Sequence, residues 1–169
     1  ILVQIFKALG VLERGHLVEC DRKALVAGFV GQTALKTSNI IDSAIGGGLF
    51  IDEAYALNQG GYTGIGGDSA ANFGKEAIET LLKRMEDERG KFMVIVAGYT
   101  DEMKRFLESN PGLKSRFDKK IHFNDYSLNE LLLIAEQLFL TEKLQINTAA
   151  KAFLSNYLAE LLRIKNRYF

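Results

Sequence analysis

Two adjacent carboxylates, Asp52 and Glu53, follow a short unbroken apolar run in this 169-residue sequence. Such a run, here residues 49–51, is typical of a strand in a parallel sheet that is buried on both faces. Open α/β sheets bind ligands at the carboxyl edge of their strands. At that edge, the first acid can help to hold Mg²⁺ and the second can polarise a water that attacks a phosphoryl group. Solvent exposure alone also explains two acids at the point where a chain leaves a sheet.

Two further segments carry residue types that a phosphoryl-transfer site uses. Phe29, Val30 and Gly31 put an aromatic, an aliphatic and a glycine in a loop, a pattern that a hydrophobic contact beside a turn also explains. Lys114 and Arg116 stand ahead of a predicted strand, where a solvated loop is the ordinary explanation. An arginine can stabilise the charge that spreads over a γ-phosphate, often reaching it from another subunit.

Charge and composition limit the classes of function. Lys and Arg number 21, as do Asp and Glu, so the formal net charge is zero. That balance argues against bulk binding of nucleic acid or of an anionic membrane. No apolar run approaches the ~20 residues of a membrane span, and the first residues lack the pattern of a secretory signal. The single cysteine, Cys20, favours a reducing compartment, so we expect a cytoplasmic protein.

Strands and helices alternate along most of the chain before the pattern becomes wholly helical. The periodicity predicts helices at 1–12, 33–44, 75–88, 101–107, 128–140 and 149–164, and strands at 16–21, 49–51, 92–97 and 120–123. The Gly-rich and Ser-rich segment 59–74 predicts a mobile loop. We therefore expect an α/β core with a parallel sheet over 1–126 and part of a small helical lid over 127–169.

Six short segments occur in an order that resembles a known family. They are 29–34 (FVGQTA), 49–55 (LFIDEAY), 73–77 (FGKEA), 81–86 (LLKRME), 96–99 (VAGY) and 110–117 (NPGLKSRF). Together they resemble the AAA+ ATPases of the CbbX/CfxQ/SpoVK group. This group includes red-type Rubisco activases, sporulation proteins and the ATPase domains of type VII secretion factors. The likeness runs along the whole chain, and the ordered set is far more specific than any one segment.

The resemblance implies roles in a nucleotide site. Asp52 and Glu53 match the Walker B pair, in which Asp52 holds Mg²⁺ through water and Glu53 activates the attacking water. Arg116 matches the arginine finger, which acts on the nucleotide bound to a neighbouring subunit. Tyr99 and Thr100 stand where the family often carries a polar sensor such as Asn, so Thr100 is the candidate for contacting the nucleotide. The implied cofactors are ATP and Mg²⁺.

The resemblance also implies a mechanical function. Phe29, Val30 and Gly31 match the first pore loop, whose aromatic side chain grips a polypeptide, and 59–74 corresponds to a second pore-facing loop. The expected activity is ATP hydrolysis in a ring of identical subunits, a hexamer, that remodels a protein substrate threaded through its pore. Neither nucleic acid nor membrane is an expected partner.

Two nucleotide-binding elements of the family have no match in the sequence. No Gly-x-x-x-x-Gly-Lys-[Ser/Thr] segment occurs, and the family's first, central strand and sensor-2 arginine are also missing. We therefore expect a piece of a larger AAA+ subunit that is inactive alone and marginally stable, because its sheet would have open edges. The alternative is a non-hydrolysing interaction module that lends Arg116 to active partners.

Overall fold

The computed structural model describes residues 1–29, 31–58 and 67–168, with side chains throughout except at 67–72 and 165–168. The chain forms two compact units, Ile1–Lys120 and Ile121–Phe169. None of the helices in the described ranges is long and apolar enough to cross a membrane.

A parallel three-stranded sheet organises the first unit and confirms the predicted α/β class. The strands are β1 (Leu17–Cys20), β2 (Gly48–Ile51) and β3 (Met93–Val96), in the order β1-β2-β3. The helices are α1 (Leu2–Ala8), α2 (Arg22–Leu25), α3 (Thr33–Ala44), α4 (Gly67–Asp87), α5 (Thr100–Glu108) and α6 (Pro111–Arg116), with a 3₁₀ helix at Ala54–Asn58.

The central strand β2 lies deepest in the core. Leu49 and Ile51 are both 0 % exposed, whereas every residue of β3 is only half-buried. Within the described residues β3 pairs with β2 alone, so its other edge is open, as the sequence predicted. On its other side β2 pairs with β1, so β2 is held between two strands.

The predicted strand at 120–123 is wrong, since residues 117–127 belong to no helix or strand. An extended segment becomes a strand only when a neighbouring backbone pairs with it. No such neighbour is present among the described residues, and Ile121 and Phe123 are 72 % and 87 % exposed.

The predicted mobile loop at 59–74 is wrong over 67–74, because α4 begins at Gly67. The rest of that segment, 59–66, lies outside the described residues. The helix includes adjacent alanines at 70 and 71, which are strong helix formers. Gly74 marks a close approach rather than a turn: a Cβ placed on it would overlap the carbonyl oxygen of Leu57.

The segment after Pro111 is also a helix, not the solvated loop that its charges suggested. Asn110 caps α6, because its side-chain oxygen accepts a hydrogen bond from the Gly112 N–H at 2.7 Å. Pro111 occupies the first helical position, where its fixed φ fits and its missing N–H costs nothing. Lys114 and Arg116 consequently sit on a short rigid element.

Two helices make up the second unit, α7 (Leu128–Thr141) and α8 (Thr148–Tyr168), as the sequence predicted. Ser127 and Glu130 form a capping box at the start of α7. The Ser127 backbone N–H and then its hydroxyl donate to the Glu130 carboxylate, which lowers the pKa of Glu130. Lys151 of α8 pairs with Glu136 of α7, which joins the two helices by charge.

Candidate functional site

Asp52 and Glu53 leave the sheet at the carboxyl end of β2, and the backbone around them is fixed from both sides. The Asp52 N–H donates to the Cys20 carbonyl of β1 at 2.9 Å. The Ala54 N–H donates to the Ala97 carbonyl, just beyond β3, at 3.0 Å. Both acidic side chains are exposed. The sheet therefore presents two carboxylates from a rigid base at the edge where the sequence predicts them.

Glu53 adopts a left-handed backbone conformation, with φ of 46°. A non-glycine residue is uncommon in that region and is held there at a cost of roughly 1–3 kcal/mol. The Glu53 N–H donates to Asp52 Oδ1 at 2.9 Å, which stabilises the turn. One carboxylate oxygen of Asp52 is used inside the turn, while Oδ2 has no hydrogen-bond partner among the described residues. Backbone strain of this kind is concentrated at functional sites.

Tyr55 lies beside this turn and was given no role from the sequence. Its ring centroid is 6.3 Å from that of Tyr99, with the ring planes 40° apart. A Cβ on Gly98 would stand 2.7 Å from the Tyr55 ring, so only glycine permits the chain after β3 to pass so close. Partial burial, and then a hydrogen bond with the Glu53 carboxylate, raise the pKa of the Tyr55 hydroxyl. The signal in the sequence was an aromatic two residues after the acids.

Thr100 is the first residue of α5 and is exposed. It follows β3 at the same sheet edge as Asp52, because β2 and β3 are parallel neighbours with Ile51 opposite Val96. Thr100 and the acidic pair therefore share one edge of the sheet.

Arg116 is the last residue of α6, so it lies on a helix and not in the solvated loop that the charges suggested. Its Nη2 donates to Glu86 Oε2 at 3.0 Å, and its side chain is 29 % exposed. Its Nε is buried without a hydrogen-bond partner in the described part of the chain. Lys114, by contrast, is exposed. Arg116 is thus the better ordered of the two cations.

Phe29 lies at the tip of the segment between α2 and α3 and is 72 % exposed. Gly31 has φ of 79°, a conformation that favours glycine. Val30, the third residue of the predicted pore loop, lies outside the described residues. The Phe29 ring is therefore accessible to another molecule.

Three side chains of α3 fix the base of this segment, and sequence reasoning missed all of them. The Ala27 N–H donates to Thr33 Oγ1 at 3.1 Å, and Thr37 Oγ1 donates to the Leu25 carbonyl at 3.0 Å. Lys36 Nζ donates to the Val26 carbonyl at 3.0 Å. Thr33 and Thr37 are both 0 % exposed. The signal in the sequence was the spacing of Thr33 and Thr37, four residues apart and in line with Ile41 on one face of the predicted helix.

The residues at the sheet edge suit Mg²⁺ bound together with a nucleotide. In the described ranges, no three or more His, Cys, Asp or Glu side chains form a group able to hold a metal ion alone. Mg²⁺ bound with a nucleotide needs no such group, since one or two carboxylates, water and phosphate oxygens supply its ligands. Asp52, with one oxygen left by the turn, has the right donor type.

A parallel α/β sheet with two exposed acids at its carboxyl edge defines a class, the open α/β proteins that bind ligands at that edge. Comparison with known proteins specifies the family. The model of the ATPase family associated with various cellular activities (AAA) matches residues 2–125. The chain belongs to this AAA family of ATPases.

Several curated relatives support the resemblance to the CbbX/CfxQ/SpoVK group. Stage V sporulation protein K of Bacillus subtilis is 44 % identical over 155 residues, covering 92 % of this chain and 46 % of the relative. Protein CbxX (plasmid) of Cupriavidus necator is 42 % identical over 158 residues, covering 94 % and 48 %. ESX-1 secretion system protein EccA1 of Mycobacterium tuberculosis is 48 % identical over 136 residues, covering 80 % and 23 %. The chain thus spans about half or less of the length of each.

Proposed function

We propose that this chain provides the acidic half of an ATP-hydrolysing site, with Asp52 as the Mg²⁺ ligand and Glu53 as the base. The observation that carries the proposal is the strained Asp52–Glu53 turn at the carboxyl end of the buried strand β2. Solvent exposure alone does not explain why Glu53 is held in a left-handed conformation by a hydrogen bond to Asp52, whereas a catalytic role does. Membership of the AAA family supports ATP as the nucleotide.

The two acids divide the chemistry between them. Asp52 would hold Mg²⁺ through water, with the carboxylate oxygen that the turn leaves unused, and the ion would supply positive charge beside the phosphate oxygens. Glu53 would orient the attacking water and accept its proton as the water oxygen bonds to the γ-phosphorus and the bond from that phosphorus to the bridging oxygen breaks, releasing ADP. Burial, and then the neighbouring Glu53 carboxylate, raise the pKa of the Tyr55 hydroxyl, so the phenol stays protonated beside the proposed base. Thr100 contacts the nucleotide from the end of β3 at the same edge.

Arg116 is the proposed arginine finger for a neighbouring subunit. A guanidinium at the end of a capped, proline-initiated helix is a defined cation rather than a mobile one. Stabilising charge that develops on the transferred phosphoryl group is the function for which arginine suits such sites. This role requires a second copy of the chain, so the proposal includes a ring, a hexamer by analogy with the family.

Phe29 is the proposed contact with a protein substrate in the pore of that ring. Its exposure supports the role, and so do the buried hydroxyls of Thr33 and Thr37, which fix the base of its segment. A fixed base lets a movement of α3 move the Phe29 tip rather than bend the segment. The neutral net charge supports a polypeptide rather than nucleic acid as the substrate, and a reducing, cytoplasmic setting is part of the proposal.

Replacing the proposed base separates ATP binding from hydrolysis. In the native protein, we expect Glu53→Gln to retain ATP binding and to lower turnover by about 10²-fold or more, because the amide cannot accept the proton. The matched control is Glu108→Gln, an exposed glutamate at the end of α5 that should leave turnover unchanged. Turnover at the parental rate in Glu53→Gln would show that Glu53 is not the base. A parental protein that fails to hydrolyse ATP, yet accelerates an active partner through Arg116, would favour the interaction module.

A further inference from the structure

The ion pair between Arg116 and Glu86 is the strongest feature that the proposed site does not explain. It joins the last residue of α6 to the last turns of α4. The Glu86 side chain is 57 % exposed, so its carboxylate remains solvated and does not need a partner for burial. An exposed pair of this kind contributes little to stability, typically ~0–1 kcal/mol. Its value to the protein must therefore be sought in the geometry it imposes on Arg116.

The two helices meet along matched faces. Gly112 and Arg116 are four residues apart on α6, and Leu82 and Glu86 are four apart on α4, so each pair shares one side of its helix. A Cβ on Gly112 would stand 2.9 Å from Leu82 Cδ1, which shows how closely the first turn of α6 approaches α4. That approach brings Arg116, one turn later, to the level of Glu86.

This arrangement holds only one of the two terminal nitrogens of the Arg116 guanidinium by a hydrogen bond within the described residues. Nη2 donates to Glu86, while Nε is buried and has no acceptor among the described residues. Leu113, in the same short helix, is 0 % exposed and anchors α6 in the core. An arginine with a buried stem, one terminal nitrogen on a carboxylate and the second terminal nitrogen left for a ligand is held ready to meet an anion.

We propose that Glu86 is a positioning residue for Arg116, holding its guanidinium in the orientation in which it meets the γ-phosphate of a neighbouring subunit. The inference rests on the proposed function of Arg116. Glu86 does not touch the nucleotide in this account, and it acts only through Arg116. Its loss should therefore slow the hydrolytic step and leave ATP affinity in place, since Arg116 serves the transition state more than the bound substrate.

The test compares variants of the native protein by steady-state ATP hydrolysis. Glu86→Gln should lower kcat about tenfold and change the KM for ATP by less than about twofold, because a charge-assisted hydrogen bond is lost. Glu86→Asp, which keeps the charge, should recover part of the lost kcat. In an Arg116→Ala background, adding Glu86→Gln should cause no further loss, since the residue acts through Arg116.

Two control variants isolate the pair. Asp42→Asn breaks the ion pair between Arg84 and Asp42, which also links α4 to a neighbouring helix. The Asp42 side chain is 59 % exposed. Arg89→Ala removes the other partner of Glu86, an arginine that is 84 % exposed. Both should leave kcat unchanged. The two Glu86 variants and the two controls should keep the melting temperature of the parent within about 2 °C.

The outcomes separate this inference from the proposed function. If Arg116→Ala hydrolyses ATP at the parental rate, the arginine finger is wrong whatever Glu86 does. If Arg116→Ala lowers turnover to a small but measurable residual rate while Glu86→Gln behaves like Asp42→Asn, the finger stands and the positioning role is refuted. A rise in kcat for Glu86→Gln, or a full tenfold loss added to Arg116→Ala, would refute it equally.

Discussion

Gly74 offers a test of whether α4 packs as closely on the 3₁₀ helix as the structure shows. A Cβ at this position would overlap the Leu57 carbonyl oxygen and lie 3.0 Å from its carbonyl carbon. Carbon atoms in contact normally stand about 3.5–4.0 Å apart, so Gly74→Ala must separate the two helices by roughly 1 Å. Leu57 itself is only 1 % exposed, and both clashing groups belong to the backbone, so no side-chain rotation can relieve the overlap.

The magnitude follows from two opposing terms. Overpacking costs typically ~1–3 kcal/mol, and a clash with backbone belongs at the upper end of that range. Alanine gains about 1 kcal/mol over glycine inside a helix. We therefore expect Gly74→Ala to destabilise the sheet unit by about 2 kcal/mol, although substitution of a helical glycine by alanine usually stabilises a protein.

Hydrogen–deuterium exchange of the native protein measures this locally. A loss of about 2 kcal/mol should speed exchange of the β2 and α4 amides about thirtyfold when exchange requires opening of the unit. The matched control is Lys75→Ala, the exposed next residue of the same helix, which should change protection by less than ~0.5 kcal/mol. Protection in Gly74→Ala equal to or above that of the parent would refute the close packing of α4 on Leu57.

Two further predictions concern buried polar groups in the same unit. Thr37→Val should lower the stability of the α2–α3 segment by ~1–2 kcal/mol in the same exchange measurement, because the Leu25 carbonyl loses its buried hydrogen-bond donor. The control Thr80→Val, whose hydroxyl bonds a carbonyl within its own helix, should be nearly neutral, and equal losses in both would contradict the assignment. Burial, and then the nearby Asp21 charge, raise the pKa of Cys20 from 9.0 to about 11. The thiolate is the reactive form, so alkylation near pH 8 should be at least about a hundredfold slower in the folded protein than in urea, and equal rates would contradict the burial of the thiol. Because the folded pKa is the higher one, Cys20 also makes stability fall as pH rises from about 9 to 11.

Local patterns predicted most of the first unit, because its strands and helices carry simple periodicities. The continuous apolar run before Asp52 predicted a buried central strand, and β2 is that strand. The helix at 33–44 matches α3 to the residue, with glycines at 31 and 46 on either side of it. Elements that depend on neighbours were harder: the segment 120–123 reads as a strand but has no described partner to pair with.

Glycine misled where packing decided its role. Gly74 indicated a loop by composition, yet it lies inside α4 because only a hydrogen atom fits beside Leu57. Composition also did not reveal that Pro111 starts α6, because that role depends on the Asn110 cap. Similarly, spacing identified Asp52, Glu53 and Arg116 as candidates. It could not reveal the left-handed turn at Glu53 or the Glu86 contact, because both arise from how the elements meet in space.

A structure of the native Glu53→Gln protein with ATP and Mg²⁺ tests the central claim most directly. The account predicts a ring in which Mg²⁺ lies beside Asp52, through water, with the γ-phosphate next to residue 53 at the end of β2. Arg116 of one subunit should point to the nucleotide of its neighbour. Nucleotide bound away from this sheet edge, or a metal ion with no contact to Asp52 directly or through water, would contradict the account.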